Sequence, residues 1–371
     1  MNGLDLAGRF FHEVVEPIIT RAVPELRYAT ALIGPGSEVL GYDTVLSRDH
    51  DWAPRVQLFL STEEEADAGE LLRDSLDREL PETFEGFPVR IDRSDPGAGR
   101  TLDHPGPGHR VVVDTVAGWM SNHLGWHCPM TLTVADWLVT PQQRLLEITA
   151  GRVFRDDAGH LTEIRRRLAW FPDDVWCYLL ACQWQRVAQL EPFVGRTGDT
   201  GDDLGSRLVA ATLVRDAIML AFLIERRYAP YAKWLGTGFQ HLPIARSTGP
   251  GLESALSATD WRTRESALLT VFEALGHATN ALGLADVVDP SPRHFYDRPY
   301  RVLDAHRFRV ALDREITDPD LRDVIDLSGW IGAVDQFSDS VELVTRTDRV
   351  RTLRMMYGDA GPTAGSGDRD A

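Results

Sequence analysis

Two aspartates one residue apart, in Arg48-Asp49-His50-Asp51-Trp52, follow a turn of small residues, Ile33-Gly34-Pro35-Gly36-Ser37-Glu38. On a strand, side chains two positions apart share a face, so Asp49 and Asp51 would project together while His50 points away. Two carboxylates so placed can share a divalent cation. Gly34, Gly36 and Ser37 carry little bulk, which lets backbone N–H groups and a hydroxyl approach an anionic ligand closely, as phosphate-cradling turns do. A phosphate turn followed by metal carboxylates is the pattern of nucleotide chemistry. The competing reading is a solvated turn, because a chain with 56 Asp and Glu generates such pairs freely.

Other residues add weaker signals. Lys233 is the single lysine among 39 basic residues. A compact ammonium fits beside a triphosphate where the flat guanidinium fork does not, so Lys233 is a candidate phosphate contact; chance survival, stacked on Tyr231 or Trp234, is the alternative. Gly195-Arg196-Thr197-Gly198 and Gly201 to Ser206 read as a glycine-rich loop that offers Arg196 to phosphates, with Asp203 either facing an acceptor or capping the next helix. His123, His127 and Cys128 have zinc-like spacing but no evident fourth ligand, and Gly125 interrupts the helix they need. Cys177 and Cys182 read as core packing, His277 and Asn280 as a helix end, and Arg215 with Asp216 as a structural ion pair.

The elements that must position these residues suggest an α+β chain. At 371 residues two domains are expected. Apolar spacing predicts a helix over 5–22, strands at Tyr28 to Ile33 and Val56 to Leu60, and a helix capped by Ser61 or Thr62 that runs to Leu80. Pro54 would break the strand that carries the aspartates with a bulge or an edge. Phe87 to Asp92 and Arg110 to Val116 are two more strand candidates, separated by a Gly/Pro loop and followed by a helix from Val116 to Leu124. This α/β domain would occupy 1–150. An all-helical domain would fill 151–358, with helices at Val175 to Leu190, Leu204 to Tyr228, 260–284, 301–313, 318–332 and 335–346, and a disordered tail at 359–371. A net charge of −17 repels a phosphate backbone, so the expected partner is small and not a nucleic acid. Three cysteines, no basic-apolar leader, and no apolar run near the roughly twenty residues that span a bilayer predict a cytoplasmic protein without membrane contact.

A small α/β domain with Gly-Ser and Asp-x-Asp, followed by helices, resembles the DNA-polymerase-beta-like nucleotidyltransferases, in particular antibiotic-modifying (aminoglycoside- and lincosamide-type) enzymes and their minimal bacterial relatives. Within that superfamily the chain resembles a bacterial family known only as a domain of unknown function. The residues that carry this closer resemblance are Gly195 to Gly198, Gly201 to Ser206, Tyr228-Ala229-Pro230-Tyr231-Ala232-Lys233-Trp234, Arg298-Pro299-Tyr300 and Asp335-Gln336-Phe337. The resemblance implies a nucleotidyltransferase-fold domain with a mixed sheet and a helical bundle. It implies that Gly36 and Ser37 hold a nucleoside triphosphate, ATP being the expected one, and that Asp49 and Asp51 ligate Mg²⁺. A third acidic residue from a later strand is expected; Asp92 is preferred, with Asp114 and Asp136 as competitors. The implied reaction moves a nucleoside monophosphate to a hydroxyl or amine of a small-molecule acceptor and releases pyrophosphate beside Lys233. A non-catalytic nucleotide sensor or scaffold, or an enzyme that modifies a protein, is the alternative.

Overall fold

Val56-Gln57-Leu58-Phe59-Leu60 forms a strand whose five positions are all buried, as expected for β-branched and aromatic residues covered on both faces. The computed structural model describes residues 2–44, 52–91, 108–125, 132–344, 346 and 352–358. Packing groups the chain into two units, residues 1–130 with 144–169, and residues 131–143 with 170–371. The architecture is α+β, with a mixed four-stranded sheet and many helices.

In the first unit the sheet contains β1 (Ala29–Leu32), β2 (Val56–Leu60), β3 (Val111–Thr115) and β4 (Arg152–Asp156), in the order β3-β2-β1-β4. β1 pairs antiparallel with both β2 and β4, whereas β2 and β3 are parallel, with Leu58 opposite Val113. A parallel pair needs a long crossover, and helix α1 (Thr62–Glu79) lies within it. Of the two cap candidates, Ser61 and Thr62, Ser61 caps that helix, in a reciprocal box with Glu64. Leu72 and Leu76 of α1 join Phe10, Phe11, Leu58 and Val111 in one apolar core. The residues before β2 form a bend at Ala53 and Pro54, so the strand starts at Val56 and the proline stays out of the ladder.

Two sequence expectations change here. Of the strand expected from Phe87 to Asp92, the described residues Phe87 to Ile91 do not join this sheet as one strand. Phe87–Pro88 pairs with Thr83–Phe84, Arg90–Ile91 pairs with Gly108–His109, and the Val89 amide between them bonds to the Glu82 carbonyl. Pro88 has no N–H to donate, which limits what a ladder can gain across it. Arg152–Asp156, expected to lead into helices, is an edge strand. Its arginines pair with Asp5, Glu16 and Asp157, and charge along an edge discourages pairing with another chain.

The second unit is built around helices α2 (Asp173–Asp199) and α3 (Asp203–Ile224). The expected glycine-rich loop is mostly helix: Gly195 to Asp199 form the last turns of α2, and Asp202 caps α3 through the Gly205 amide. Glycine is required there by close approach. A Cβ on Gly195 would overlap Tyr300, and one on Gly198 would overlap Trp261. Asp203 bonds to Arg207 and to Arg264, a buried arginine that also reaches Ser206 and the Ala258 carbonyl. Asp216 pairs with Arg186 and Gln183, not with adjacent Arg215, because neighbours on a helix point in different directions. Asn280 holds both the N–H and the carbonyl of Val288. Two further helices that the sequence did not suggest, α4 (Ala232–Gln240) and α5 (Ala245–Ser257), follow α3. Cys177 and Cys182 are buried free thiols, and burial pushes the Cys177 thiol up to about 12, consistent with packing and not redox chemistry. Among the described residues no helix is long and apolar enough to cross a membrane.

Glu191 of α2 accepts the amides of Leu303 and Ala305 at 2.7 and 2.9 Å, and burial pushes its carboxyl up to about 7 despite those bonds. The folded chain therefore binds this proton more tightly than the unfolded chain, whose glutamate titrates near 4.3. The stabilisation this group contributes should be complete below that value and should fall as pH rises toward 7, by at most about 1.4 kcal/mol per unit. Urea unfolding of native protein and Glu191→Gln across this window checks it: the difference between the two should shrink in the native chain's disfavour as pH rises, and a flat difference would remove the assignment. A second expectation concerns packing. Gly198→Ala should cost roughly 1–3 kcal/mol, since Trp261 must move to admit the methyl group.

Candidate functional site

The glycine turn leaves β1 and is fastened to β2 by side chains from inside the sheet. Gln57 accepts the Ile33 N–H at 3.2 Å and donates to the Ile33 carbonyl at 2.9 Å. It thus occupies both hydrogen-bonding groups of the residue that precedes the turn. Two residues earlier, Arg55 donates to the Pro35 carbonyl at 2.5 Å and to Glu38 Oε1 at 2.6 and 3.0 Å. Glu38 is 2% exposed, and its second oxygen, Oε2, is buried without a hydrogen-bond partner among the described residues. Gly34 donates to the Glu147 carbonyl at 2.8 Å, Tyr42 to the Ser37 carbonyl at 2.9 Å, and Gly41 to the Glu38 carbonyl at 3.2 Å.

Gly36 has a φ of 145°, and a Cβ there would overlap the Arg55 guanidinium and lie 2.6 Å from Glu38 Oε2. The space that its missing side chain leaves is filled by the chain's own ion pair. Ser37 follows it, partly buried, at the start of the 37–42 turn.

Asp49 and Asp51, like Asp92, lie outside the described residues. The residues that flank the aspartate pair are bonded together: Trp52 Nε1 donates to Asp43 Oδ2 at 3.1 Å, and Gly3 donates to the same oxygen at 2.8 Å. Trp52 is 1% exposed and packs edge-on against Phe87, with ring centroids 4.7 Å apart. Arg55, three residues after Trp52, binds the glycine turn.

The competing acidic residues have other partners. Asp114 stands on β3 opposite Phe59, and its Oδ1 accepts the Thr115 N–H at 2.7 Å at the start of the helix Val116–Leu124. Asp136, in the second unit, caps its helix through Thr133 and pairs with Arg354. Glu147 lies 3.2 Å from His123, whose ring stacks on Trp119 at 4.7 Å. That contact accounts for His123 without zinc; His127 and Cys128 lie outside the described residues. Among the described residues no three His, Cys, Asp or Glu side chains gather around a metal position.

Arg196 and Lys233 belong to the second unit, on different helices. Arg196 is exposed in the last turn of α2. Lys233 is exposed in the first turn of α4, its ammonium 5.1 Å from the Trp234 ring, so partial burial does not strengthen its field. Sequence reasoning missed Gln57, Arg55, Glu38, Asp43 and Trp52. Their one visible signal was a glutamine inside an otherwise apolar strand, which must find polar partners once buried.

Removing one partner of a buried ion pair leaves the other charge uncompensated, so Arg55→Met should lower stability by about 3–5 kcal/mol. Arg55→Lys should recover only part of this, because one ammonium does not reproduce the fork that reaches Pro35 and Glu38 together. Chemical denaturation of the two variants measures both effects.

The model of a family described as a domain of unknown function (DUF4037) matches residues 137–235. No curated protein matches the chain. Among solved structures, the crystal structure of a nucleotidyltransferase-like protein from Exiguobacterium sibiricum 255-15 aligns over 82% of this chain and 89% of its own, at 11% identity and a TM-score of 0.32. So low a TM-score carries no argument about fold or activity, and the family match covers the helical region that includes α2, α3 and the start of α4.

Proposed function

We propose that this chain is a nucleotidyltransferase: it moves AMP from ATP to a hydroxyl or amine of a small acceptor and releases pyrophosphate. The observation that supports this reading best is the joint between the glycine turn and β2. Gln57 and Arg55 hold the Gly36-Ser37 turn against the strand that begins five residues after Asp51. Phosphoryl transfer asks little of a protein beyond such positioning and charge compensation.

In the proposed step the acceptor oxygen or nitrogen attacks the α-phosphorus, the bond to the β-phosphate oxygen breaks, and the acceptor's proton passes to a carboxylate or water. Two aspartates are the hard oxygen donors that Mg²⁺ takes, and the bound ion would offset charge on the phosphates. The assignments of Arg196 and Lys233 to phosphate rest on the sequence alone, Arg196 on its glycine-rich surroundings and Lys233 on being the single lysine.

A specific observation favours a second reading, a nucleotide-binding protein without turnover. Each described candidate for the third carboxylate is already engaged: Asp114 by the Thr115 amide, Asp136 by Thr133 and Arg354.

Calorimetric titration with ATP, GTP, CTP and UTP in the presence of Mg²⁺, with pyrophosphate followed in parallel over an acceptor panel, separates the readings. Transfer predicts binding and pyrophosphate release in the native chain. In Asp49→Asn it predicts a loss of release by about 100-fold or more. Binding without release under any acceptor supports the sensor, and the absence of binding to all four nucleotides rejects both.

A further inference from the structure

The second unit contains a small cleft of about 50 Å³ bounded by α3, by the Ala229 to Ala232 segment that enters α4, and by the chain from Asp335 to Val341. Its polar frame is assembled at Gln142 and Gln143. The Gln142 amide donates to Asp335 Oδ2 at 2.7 Å, its side-chain oxygen accepts the Ala229 N–H at 2.9 Å, and Gln143 accepts the Tyr231 N–H at 3.0 Å. Asp335 is thereby held through one carboxylate oxygen. Burial pushes its carboxyl up to about 6, against the pull of the Gln142 amide and the charge of Arg215.

Arg215 enters the same cleft from α3, partly buried. Its neighbour Asp216 is turned away to Arg186, and among the described residues Arg215 makes no hydrogen bond or ion pair of its own. An arginine and an aspartate thus line one cleft without neutralising each other in a direct pair. Asp339 adds a second carboxylate at an exposed edge. A purely anionic ligand would meet two carboxylates, and a purely cationic one would leave Arg215 uncompensated. Charge complementarity selects a molecule that carries both signs.

We propose that this cleft binds a small amphoteric molecule of the amino-acid type, with its carboxylate on Arg215 and its ammonium on Asp335. The guanidinium fork receives a carboxylate through two parallel N–H···O bonds, and Met219, Pro230 and Leu235 offer apolar wall to the remainder. The proposal rests on this cleft alone and is independent of nucleotide transfer.

The test titrates the twenty standard amino acids one at a time into the full native chain by calorimetry, to about 10 mM, which reaches complexes weaker than millimolar. One amino acid, or a few of related chemistry, should bind. Arg215→Gln and Asp335→Asn should each weaken that binding by at least about tenfold, while Arg215→Lys retains part of it. Ala232→Trp, which adds bulk at an exposed position of the lining, should block it. Arg215→Gln breaks no described bond and Ala232 is exposed, so these two variants keep the test decisive if Asp335→Asn unfolds. No binding to the native chain overturns the proposal, as does native-like binding in both Arg215→Gln and Ala232→Trp.

Discussion

Gln57 reaches out of the centre of the sheet and takes both the N–H and the carbonyl of Ile33, and the geometry of the glycine turn follows from that pair of bonds. A strand interior offers no water, so a buried amide side chain must be satisfied by protein groups or it costs about 1–3 kcal/mol for each orphan. The nearest unfilled main-chain groups are those of Ile33, where β1 has ended. By bonding to both, Gln57 closes β1 against β2 one residue beyond the regular ladder and sets the direction in which Gly34 to Ser37 depart. Arg55 repeats the principle at higher charge: it needs Glu38 and the Pro35 carbonyl, and their closeness leaves room only for glycine at position 36.

The second unit uses the same device at its own joints. Arg264 is 1% exposed and ties the start of α3 to the helix Trp261–Ala281 through Asp203 and Ser206. Glu191 fixes the main chain at Leu303 and Ala305, and Asp216 fixes Gln183 and Arg186. Apolar burial supplies the driving force for such a bundle but is indifferent to small shifts in register. Buried charged groups are not indifferent, since a shift of a few ångströms strips them of partners. Against that background Arg215 stands out as a charged group that makes no direct hydrogen bond or ion pair among the described residues.

Much of the fold was legible because the signals were local. Ser61 or Thr62 announced a helix start, Val116 to Leu124 formed the helix expected there, and the apolar run of Val56 to Leu60 marked a central strand. The misreadings involved residues whose meaning depends on a distant neighbour. Gly195 and Gly198 look like loop residues, yet Tyr300 and Trp261 press on them across about a hundred and about sixty positions of chain. Arg152–Asp156 lacks a strand signal of its own because an edge strand takes its hydrogen bonds from β1. In the candidate site, the turn and the aspartate spacing were visible, whereas the residues that fasten them were not.

The sequence by itself determined the central strand Val56 to Leu60, the helices that follow Ser61 and Thr115, the long helices α2 and α3 in outline, and the small residues of the turn before the paired aspartates, because each depends on contacts within a few residues. Tertiary structure alone decided which charges meet. Asp216 chose Arg186 over its neighbour Arg215, Gly36 yielded its space to Arg55 and Glu38, and Arg215 came to face Asp335 across a cleft. Partner choice is a matter of distance and desolvation among groups far apart in the chain, and spacing along a sequence carries no record of either.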